Sequence, residues 1–427
     1  SKKISSQLMV KNTAQAAHQS ANPLRNLSFF KLLSYRVLMV LSYQIMAVVV
    51  GWHLYEITHD PLSLGLIGLA EIIPYFCTAL FAGYAVDHYS RRNFGVSSSF
   101  TLMLSALLVY AVTDGKLSGD PTLWIYGAIA LIGLARAFIA PTYSAIFASI
   151  MPRQEYAKGA SIGSAAFQFG LITGPAVGGI LVGWTSLQVA YLVSAGLACA
   201  SGIALLTLKV HTPKVVAEKA IFSGIAEGVR FVFNHQVILS GQALDMFAVL
   251  FGGAVAMLPA FIHEVYHYGP EGLGILRASP AIGAIITGAY LAKHPIYEQA
   301  GKKLLISVAG FGVCIIAFAL TPHFWFAALI LMLSGVFDGV SVVLRTTIMQ
   351  LATPDHMRGR VASINGLFIG SSNELGAFES GLMARVMGLI PSVIFGGLMT
   401  LGVVATTATL APKLRKLNLK HLEADGH

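Results

Sequence analysis

The sequence has little charge. Of its 427 residues only 11% are Asp, Glu, Lys or Arg, whereas 56% are hydrophobic, and the mean hydropathy is +0.72. Soluble domains carry about 25% charged residues, so a soluble fold of this composition could not cover its own surface. The same composition excludes intrinsic disorder, which requires low hydrophobicity. The class that remains is a protein whose helices lie within a membrane.

Cysteine is also scarce. Cys77, Cys199 and Cys314 are far apart within apolar segments. Their odd number and the absence of metal-ligand spacing predict buried thiols rather than disulfides or a metal centre. No Gly-rich phosphate loop ending in Gly-Lys-Ser/Thr occurs, so ATP-driven transport is not supported. We expect no cofactor, no bound metal and no enzymatic activity.

Long apolar segments dominate the chain instead. A helix that crosses the hydrocarbon needs about 20 mostly apolar residues. Twelve segments satisfy this length, near 34–57, 64–88, 94–113, 122–149, 158–185, 187–209, 237–263, 270–294, 301–320, 322–351, 359–386 and 390–411. We therefore predict an all-α polytopic membrane protein with twelve transmembrane helices. Residues 1–33 are interpreted as a cytoplasmic tail, because they lack a signal-peptide pattern.

The basic residues predict the orientation. Most of the 28 Lys and Arg residues fall in the tails and in the loops on one side, while Lys116 and Arg385 fall on the other. Cytoplasmic loops carry the Lys/Arg excess, so both termini are predicted to be cytoplasmic. The net charge of +9 is then explained by contact with anionic lipid headgroups, and we expect no nucleic acid partner.

An internal repeat divides the chain into two halves. An offset of 202 places Pro152 on Pro354 and the segment 160–162 on the identical segment 362–364, and an offset of 206 places Pro74 on Pro280. Repeated halves are common in transporters. We predict two pseudo-symmetric six-helix bundles, 34–209 and 237–411. A cytoplasmic linker with an interfacial helix, 210–236, joins them, and a cytoplasmic tail, 412–427, follows.

The two halves differ in the charges that they carry at matched positions. The offset of 206 aligns Glu71 with Arg277, and the offset of 202 aligns Arg136 with Asp338. Ile172 and Val177 align in the same way with Glu374 and Glu379. This pattern indicates halves that share a packing plan but line a cavity asymmetrically.

Two motifs carry a family resemblance. The segment from Gly83 through Asp87 to Arg91 and Arg92 resembles the G-x-x-x-D-x-x-x-R-R signature of the major facilitator superfamily. In span five, the sequence GLITGPAVGG, residues 170–179, is similar to the antiporter motif of exporters in that superfamily. The segments 52–74 and 354–361 resemble the branch of bacterial drug and siderophore exporters of the enterobactin-exporter and macrolide-efflux type. The second copy of the first signature, residues 288–293, lacks its Asp.

The resemblance suggests roles for both motifs. Gly83, Asp87, Arg91 and Arg92 are candidates for a conformational latch at the helix ends, with an ordinary interfacial salt bridge as the alternative. The stripe of small residues in span five allows close helix approach and Pro175 can bend the helix. The candidates for helix packing and gating are therefore Gly170, Gly174, Pro175, Gly178 and Gly179; tight packing without gating is the alternative.

Charges inside spans are costly and often mark a transport pathway. The pathway candidates are Gln44, Glu71, Arg136, Gln168, Asp245, Arg277, Asp338, Arg345, Glu374 and Glu379. Glu71 and Asp245 are the preferred proton sites, and Arg136 is a possible partner that holds a carboxylate ionised. Each of these residues can instead belong to a structural pair, and the two glutamines can simply bridge helices.

The preferred functional hypothesis is a monomeric exporter of an amphipathic small molecule, such as a drug or siderophore, in a bacterial inner membrane. It would work by proton antiport and alternating access. A facilitator or flippase for lipid, metal or metal-chelate is the alternative on the same fold. His263, Glu264 and His267 match the H-E-x-x-H motif. This spacing can place two zinc ligands on one helix face, so an intramembrane zinc metalloprotease is a weaker alternative of another class.

Overall fold

The computed structural model describes residues 26–210, 221–296, 298–354 and 358–419. Regular structure within these ranges is entirely helical, with no strand among the described residues. The all-α fold class is confirmed. Helices are the expected solution in a membrane, because they satisfy every backbone hydrogen bond within one segment.

Six long helices form the first half of the chain. They are α1 Leu27–Thr58, α2 Pro61–His88, α3 Arg91–Thr113, α4 Pro121–Ile150, α5 Tyr156–Trp184 and α6 Leu187–Leu206. Two of the short turns show how the sequence begins a helix. Asp60 and Asp120 each accept a hydrogen bond from the backbone two residues ahead, and each is followed by a proline in the first turn. This combination of cap and proline favours helix initiation.

The second half repeats this arrangement after an amphipathic helix, α7 Ile221–Asn234. The first of its spanning helices, α8 Gln236–Phe251, continues to Tyr266 through short 3₁₀, α and π turns. The others are α9 Pro270–Lys293, α10 Ala300–Leu320, α11 Phe324–Ala352, α12 Arg358–Met387 and α13 Leu389–Leu410. A short helix, α14 Pro412–Arg415, follows. Residues 211–220 of the predicted linker lie outside the described residues.

Eleven of these segments are long and apolar enough to cross a membrane. The twelfth, α12, has the length of a span but is interrupted by polar residues such as Asn365, Ser372, Asn373 and Glu374. It packs against α2, α8 and α13, so neighbouring helices rather than lipid surround much of it. The twelve-helix architecture therefore includes one span whose polarity is compatible with a membrane only because it is covered.

Both predicted tails are partly wrong at their inner ends. Residues 27–33 form the first turns of α1, because Asn26 caps the helix and both Phe29 and Leu32 are fully buried. At the other end, Leu414 and Leu417 pack onto the second bundle. The prediction of buried thiols is wrong for Cys77, which is exposed on the surface of α2.

The helices form two bundles, α1–α6 and α8–α13. The bundles meet along two helix pairs, α2 with α12 and α5 with α9. The repeat relates these two interfaces, since α2 corresponds to α9 and α5 to α12. We call the side that carries both ends of the helical array the terminal side, and the opposite side the far side.

The bundles are in close contact in the far half of the molecule. One hydrophobic cluster there takes Trp52 and Tyr55 from the first bundle and Phe261 and Leu273 from the second. Glycines bring the backbones together: a Cβ on Gly68 would lie 2.5 Å from the Glu374 carbonyl oxygen. The far side is therefore closed in this conformation.

Candidate functional site

A cavity of about 410 Å³ lies between the two bundles. Helices of both halves line it, including α1, α2 and α4 from the first and α8, α9, α11 and α12 from the second. Five charged residues face it: Glu71, Arg136, Arg277, Asp338 and Glu374. Most of the remaining wall is apolar. The cavity therefore combines a few charged groups with a hydrophobic surface, as ligand-binding sites do.

Arg136 joins two carboxylates across this cavity. Its Nη1 donates to Glu71 Oε1 within the first bundle and lies 3.7 Å from Glu374 Oε1 of the second bundle. The rings of Tyr43 and Tyr75 lie 4.9 and 6.0 Å from the guanidinium carbon, within the range of cation–π attraction. The network therefore links the two bundles at the depth of the cavity.

Arg277 is placed differently from Arg136. Its Nη1 donates to the Ala47 carbonyl oxygen of α1 at a long 3.5 Å. Within the described part of the chain, no carboxylate lies within ion-pair distance of it. Arg277 is thus a cation of the second bundle that faces the cavity and touches the first bundle only through a backbone oxygen.

A second cavity, of about 250 Å³, lies within the second bundle. In it Arg345 Nη1 contacts Asp245 Oδ2 at 2.9 Å, and Arg345 Nε donates to Ser341 Oγ at 3.1 Å. Asp338 and Asn373 line both this cavity and the central one. The spacing of Asp338 and Arg345 on α11 brings them to a shared wall, as their separation of two helical turns suggests.

The other pathway candidates lie in different places: one in the central cavity, one in the second cavity and two in neither. Gln44 lines the central cavity, where its Cβ lies 2.5 Å from the position of a Cβ on Gly174. Gln168 and Glu379 line neither of the two cavities described. Asp245, one of the two preferred proton sites, belongs to the second cavity and is paired with Arg345.

Sequence reasoning missed three residues of the site. Tyr75 follows Glu71 by four residues, so the helical period places both on one face, and this signal was available. Asn373 precedes Glu374 and lies where the two cavities join. Tyr43 had no local signal beyond its neighbour Gln44.

The candidate latch is described in part. Of Gly83 and Asp87 only the backbone, within α2, belongs to the described structure. Arg91 Nη1 donates to the Ala145 carbonyl at 2.9 Å, and Arg92 Nη1 donates to the Leu208 carbonyl at 3.3 Å. Arg91 thus ties the start of α3 to α4, and Arg92 ties it to the segment that follows α6 in the same bundle.

The glycine stripe of α5 packs on two different partners. Gly170, Gly174 and Gly178 face Val40, Gln44 and Ile45 of α1 within the first bundle. One position further on, Gly179 faces the second bundle, where a Cβ would lie 3.0 Å from Gly274 Cα. The Pro175 carbonyl oxygen lies 2.7 Å from a Cβ on Gly274. The end of the motif therefore belongs to the interface between bundles.

The H-E-x-x-H segment, residues 263–267, contacts the first bundle on the closed far side. Residues 262–266 form a π-turn, and His267 follows it with a φ of 50°, so the two histidines are not one α-helical turn apart. His263 stacks on Trp52 with ring centroids 4.3 Å apart, and Glu264 Oε1 accepts from the Tyr55 hydroxyl at 3.1 Å. Among the described residues no group of three His, Cys, Asp or Glu side chains is placed to hold a metal.

The fold and the central cavity define a polytopic helical transporter. Two six-helix bundles related by a repeat, with a cavity between them, are typical of secondary transporters. The family model of the Major Facilitator Superfamily matches residues 32–377. The chain belongs to this superfamily.

Similar proteins of known description agree with this assignment. A multidrug efflux pump, Tap, from Mycolicibacterium fortuitum is 26% identical, over 86% of this chain and 91% of that protein. The enterobactin exporter EntS of Citrobacter koseri is 24% identical, over 92% and 93%. A crystal structure of a bacterial homolog of the human lysosomal transporter Spinster, inward-facing and occupied, has a TM-score of 0.73 at 14% identity, covering 93% of this chain and all of that one.

Proposed function

We propose that this transporter exports an amphipathic small molecule in exchange for protons. One observation carries the proposal: Arg136 contacts Glu71 in its own bundle and Glu374 in the other. A proton on Glu374 would remove the ion pair that crosses between bundles. Proton occupancy and bundle separation are then linked, which is the requirement for coupling.

The closed far side supports one stage of the proposed cycle. In the described part of the chain, the polar contacts between bundles lie at the cavity or toward the far side. The contacts Tyr55–Glu264 and Asp60–Arg385 are two of those on the far side. We take the terminal side to be cytoplasmic, because the basic loops lie there. In this conformation substrate would enter from the cytoplasm. Rocking of the bundles would then open the far side and release it.

The relatives support the direction of transport. The Tap proteins are described as efflux pumps and the EntS proteins as enterobactin exporters. An inner-membrane location in a bacterium, cytoplasmic termini and a monomeric state follow as parts of the proposal. Apolar outer surfaces, with exposed residues such as Leu104, Leu192 and Ile306, are suited to contact with membrane lipid.

The segment from Gly83 to Arg92 is the candidate latch in this cycle. Arg91 and Arg92 hold the start of α3 within the first bundle, so the loop is anchored on one side. We infer that Asp87 engages the second bundle when the terminal side closes. Asp87→Asn should slow transport without changing substrate affinity; equal transport by this variant would remove the latch.

Purified protein in proteoliposomes tests the coupling. A thermal-shift screen with enterobactin, cationic dyes and lysolipids first selects a ligand, and pyranine trapped inside the vesicles then reports proton movement. The ligand should move protons in the wild type, and Glu374→Gln should abolish that movement while still binding ligand. Ser164→Ala, a substitution at an exposed position of α5, is the control.

The same experiment has an outcome that contradicts the proposal. If collapse of the proton gradient leaves transport unchanged, the protein is a facilitator or flippase. Glu71→Gln helps to decide which carboxylate carries the proton. Loss of coupling in this variant but not in Glu374→Gln would assign the proton to the first bundle alone.

A further inference from the structure

The repeat places a charge pair of reversed sign in each bundle, and only one of the two pairs is closed. In the first bundle Glu71 of α2 and Arg136 of α4 are in contact. Their counterparts are Arg277 of α9 and Asp338 of α11. These two face the same cavity but form no ion pair with each other, since their charged atoms are more than 4 Å apart.

The position of Arg277 along α9 explains why the second pair stays open. A Cβ on Gly133 of α4 would meet the Glu71 carbonyl oxygen, whereas a Cβ on its counterpart Gly335 would meet the Pro280 carbonyl oxygen. Pro280, and not Arg277, therefore takes the place of Glu71 in the packed bundle. Arg277 lies three residues, or roughly 4.5 Å along the helix, nearer the far side.

This position of Arg277 separates the two charges in depth. Arg136 lies three residues past the level of Glu71, whereas Asp338 lies at a depth six residues past Arg277, which is roughly 9 Å along the helix axis. A pair of this separation cannot neutralise itself. The repeat thus produces a closed pair in one bundle and two separated opposite charges in the other.

Neither separated charge finds a full partner among the described residues. A guanidinium has five N–H donors, and Arg277 uses one of them on a backbone oxygen at 3.5 Å. Asp338 forms no hydrogen bond or ion pair with the described residues, because the neighbouring Arg345 is engaged by Asp245. Charges at membrane depth that lack an ion-pair partner in direct contact are costly, so a ligand that complements both would bind favourably.

Most of the cavity wall that these two charges share is apolar. Ala47, Val249, Ala256 and Ile315 line the same cavity, together with Leu331. We propose that the ligand is a dipolar amphiphile, whose anionic group binds Arg277, whose cationic group binds Asp338, and whose apolar body lies between them. This inference rests on the proposed function only in taking the central cavity as the transport site.

A matched set of ligands tests the proposal at equilibrium. The probes are 8-aminooctanoate, which carries both charges, octanoate, octylamine and the shorter 4-aminobutyrate. Dissociation constants are taken from the concentration dependence of thermal stabilisation. For the wild type, 8-aminooctanoate should bind about tenfold more tightly than any other probe, the value of one charge-assisted hydrogen bond.

Two variants separate the two ends of the ligand. Arg277→Gln should remove the advantage of 8-aminooctanoate over octylamine, and Asp338→Asn should remove its advantage over octanoate. Arg385→Gln and Asp114→Asn make the same charge changes on the far side, outside the cavity, and should leave all four constants unchanged.

The proposal is overturned if single-charge probes bind the wild type as tightly as the dipolar one. It is equally overturned if each variant weakens all four probes by the same factor. Because the measurement uses no proton gradient, its result is independent of coupling. Dipolar preference without proton movement would remove only the proposed antiport, and proton movement without dipolar preference would remove only this inference.

Discussion

Two arginines inside the membrane show how position within the bundles changes the use of an ion pair. Arg345 pairs with Asp245 inside the second bundle at 2.9 Å, and their side chains are only 10% and 9% exposed. Arg136 reaches Glu374 of the other bundle at 3.7 Å, with 33% and 22% exposure. In the proposed cycle, a pair within one bundle would persist when the bundles rock as rigid bodies, whereas a pair between bundles would have to break.

The comparison assigns different tasks to similar chemistry. The pair inside the second bundle joins α8 to α11, and removal of one partner would leave a buried charge uncompensated. The pair between bundles, Arg136 with Glu374, is longer and more exposed. Arg136 also contacts a second carboxylate, Glu71. It can therefore exchange partners without loss of the folded state.

The strongest test of this contrast is Arg345→Ala. It should lower the free energy of unfolding by about 3–5 kcal/mol, because Asp245 is left buried and unpaired. Unfolding in mixed micelles measures the change. The double variant, Asp245→Ala with Arg345→Ala, should recover part of the loss. If the single variant is no less stable than the double, the pair is not a structural element.

Overpacking of the closed far side should have the next largest effect. A Cβ at Gly68 would lie 2.5 Å from the Glu374 carbonyl oxygen and 2.9 Å from Ala377 Cβ. Gly68→Ala should destabilise the closed far side by about 1–3 kcal/mol, and so favour its opening.

Cysteine labelling measures this opening. Leu64, only 3% exposed in the far-side cluster, is replaced by Cys in a cysteine-free background. Its reaction with a maleimide should accelerate in Gly68→Ala. Gly127→Ala, at a position with open space around the added Cβ, is the matched control and should not change the rate. An unchanged rate in Gly68→Ala would show that this contact does not hold the far side closed.

Loss of the pair between bundles should cost less stability. Glu374→Gln should change the free energy of unfolding by no more than about 1 kcal/mol, because Arg136 keeps Glu71 and a hydrogen bond to a neutral amide remains available. The same labelling of Leu64→Cys should accelerate, since the bundles lose one link. A loss of stability as large as that of Arg345→Ala would contradict the distinction between the two pairs.

The smallest effect is expected at the far-side rim. Arg385 lies 3.9 Å from Asp60, and its side chain is 60% exposed. Exposed pairs contribute about 0–1 kcal/mol, so Arg385→Gln should leave both stability and the labelling rate nearly unchanged. A large effect on labelling would make this rim contact part of the far-side closure.

Much of the fold could be predicted from the sequence because hydrophobic length is a local property. The apolar segments predicted twelve spans, and the motifs in 83–92 and 170–179 pointed to the superfamily that the family model confirms. Errors arose where local composition competes with packing. Leu27 and its neighbours were assigned to a tail, although a cap and two buried side chains make them helical.

The candidate site could be predicted only as a set of charges. Glu71, Arg136, Arg277, Asp338 and Glu374 were all among the candidates, and the structure brings these five to one cavity. Their pairing was not accessible, because contacts between helices depend on rotation and register. Asp245 was grouped with Glu71 as a proton site, yet it lies in another cavity beside Arg345.

The sequence by itself determined which residues lie within the membrane and that the two halves carry opposite charges at aligned sequence positions. These properties follow from hydropathy along one chain and from the repeat. Only the tertiary structure decided that Glu71 meets Arg136 while Arg277 and Asp338 stay apart. The physical reason is that Pro280, and not Arg277, takes the place of Glu71 where the helices pack, so Arg277 lies three residues nearer the far side.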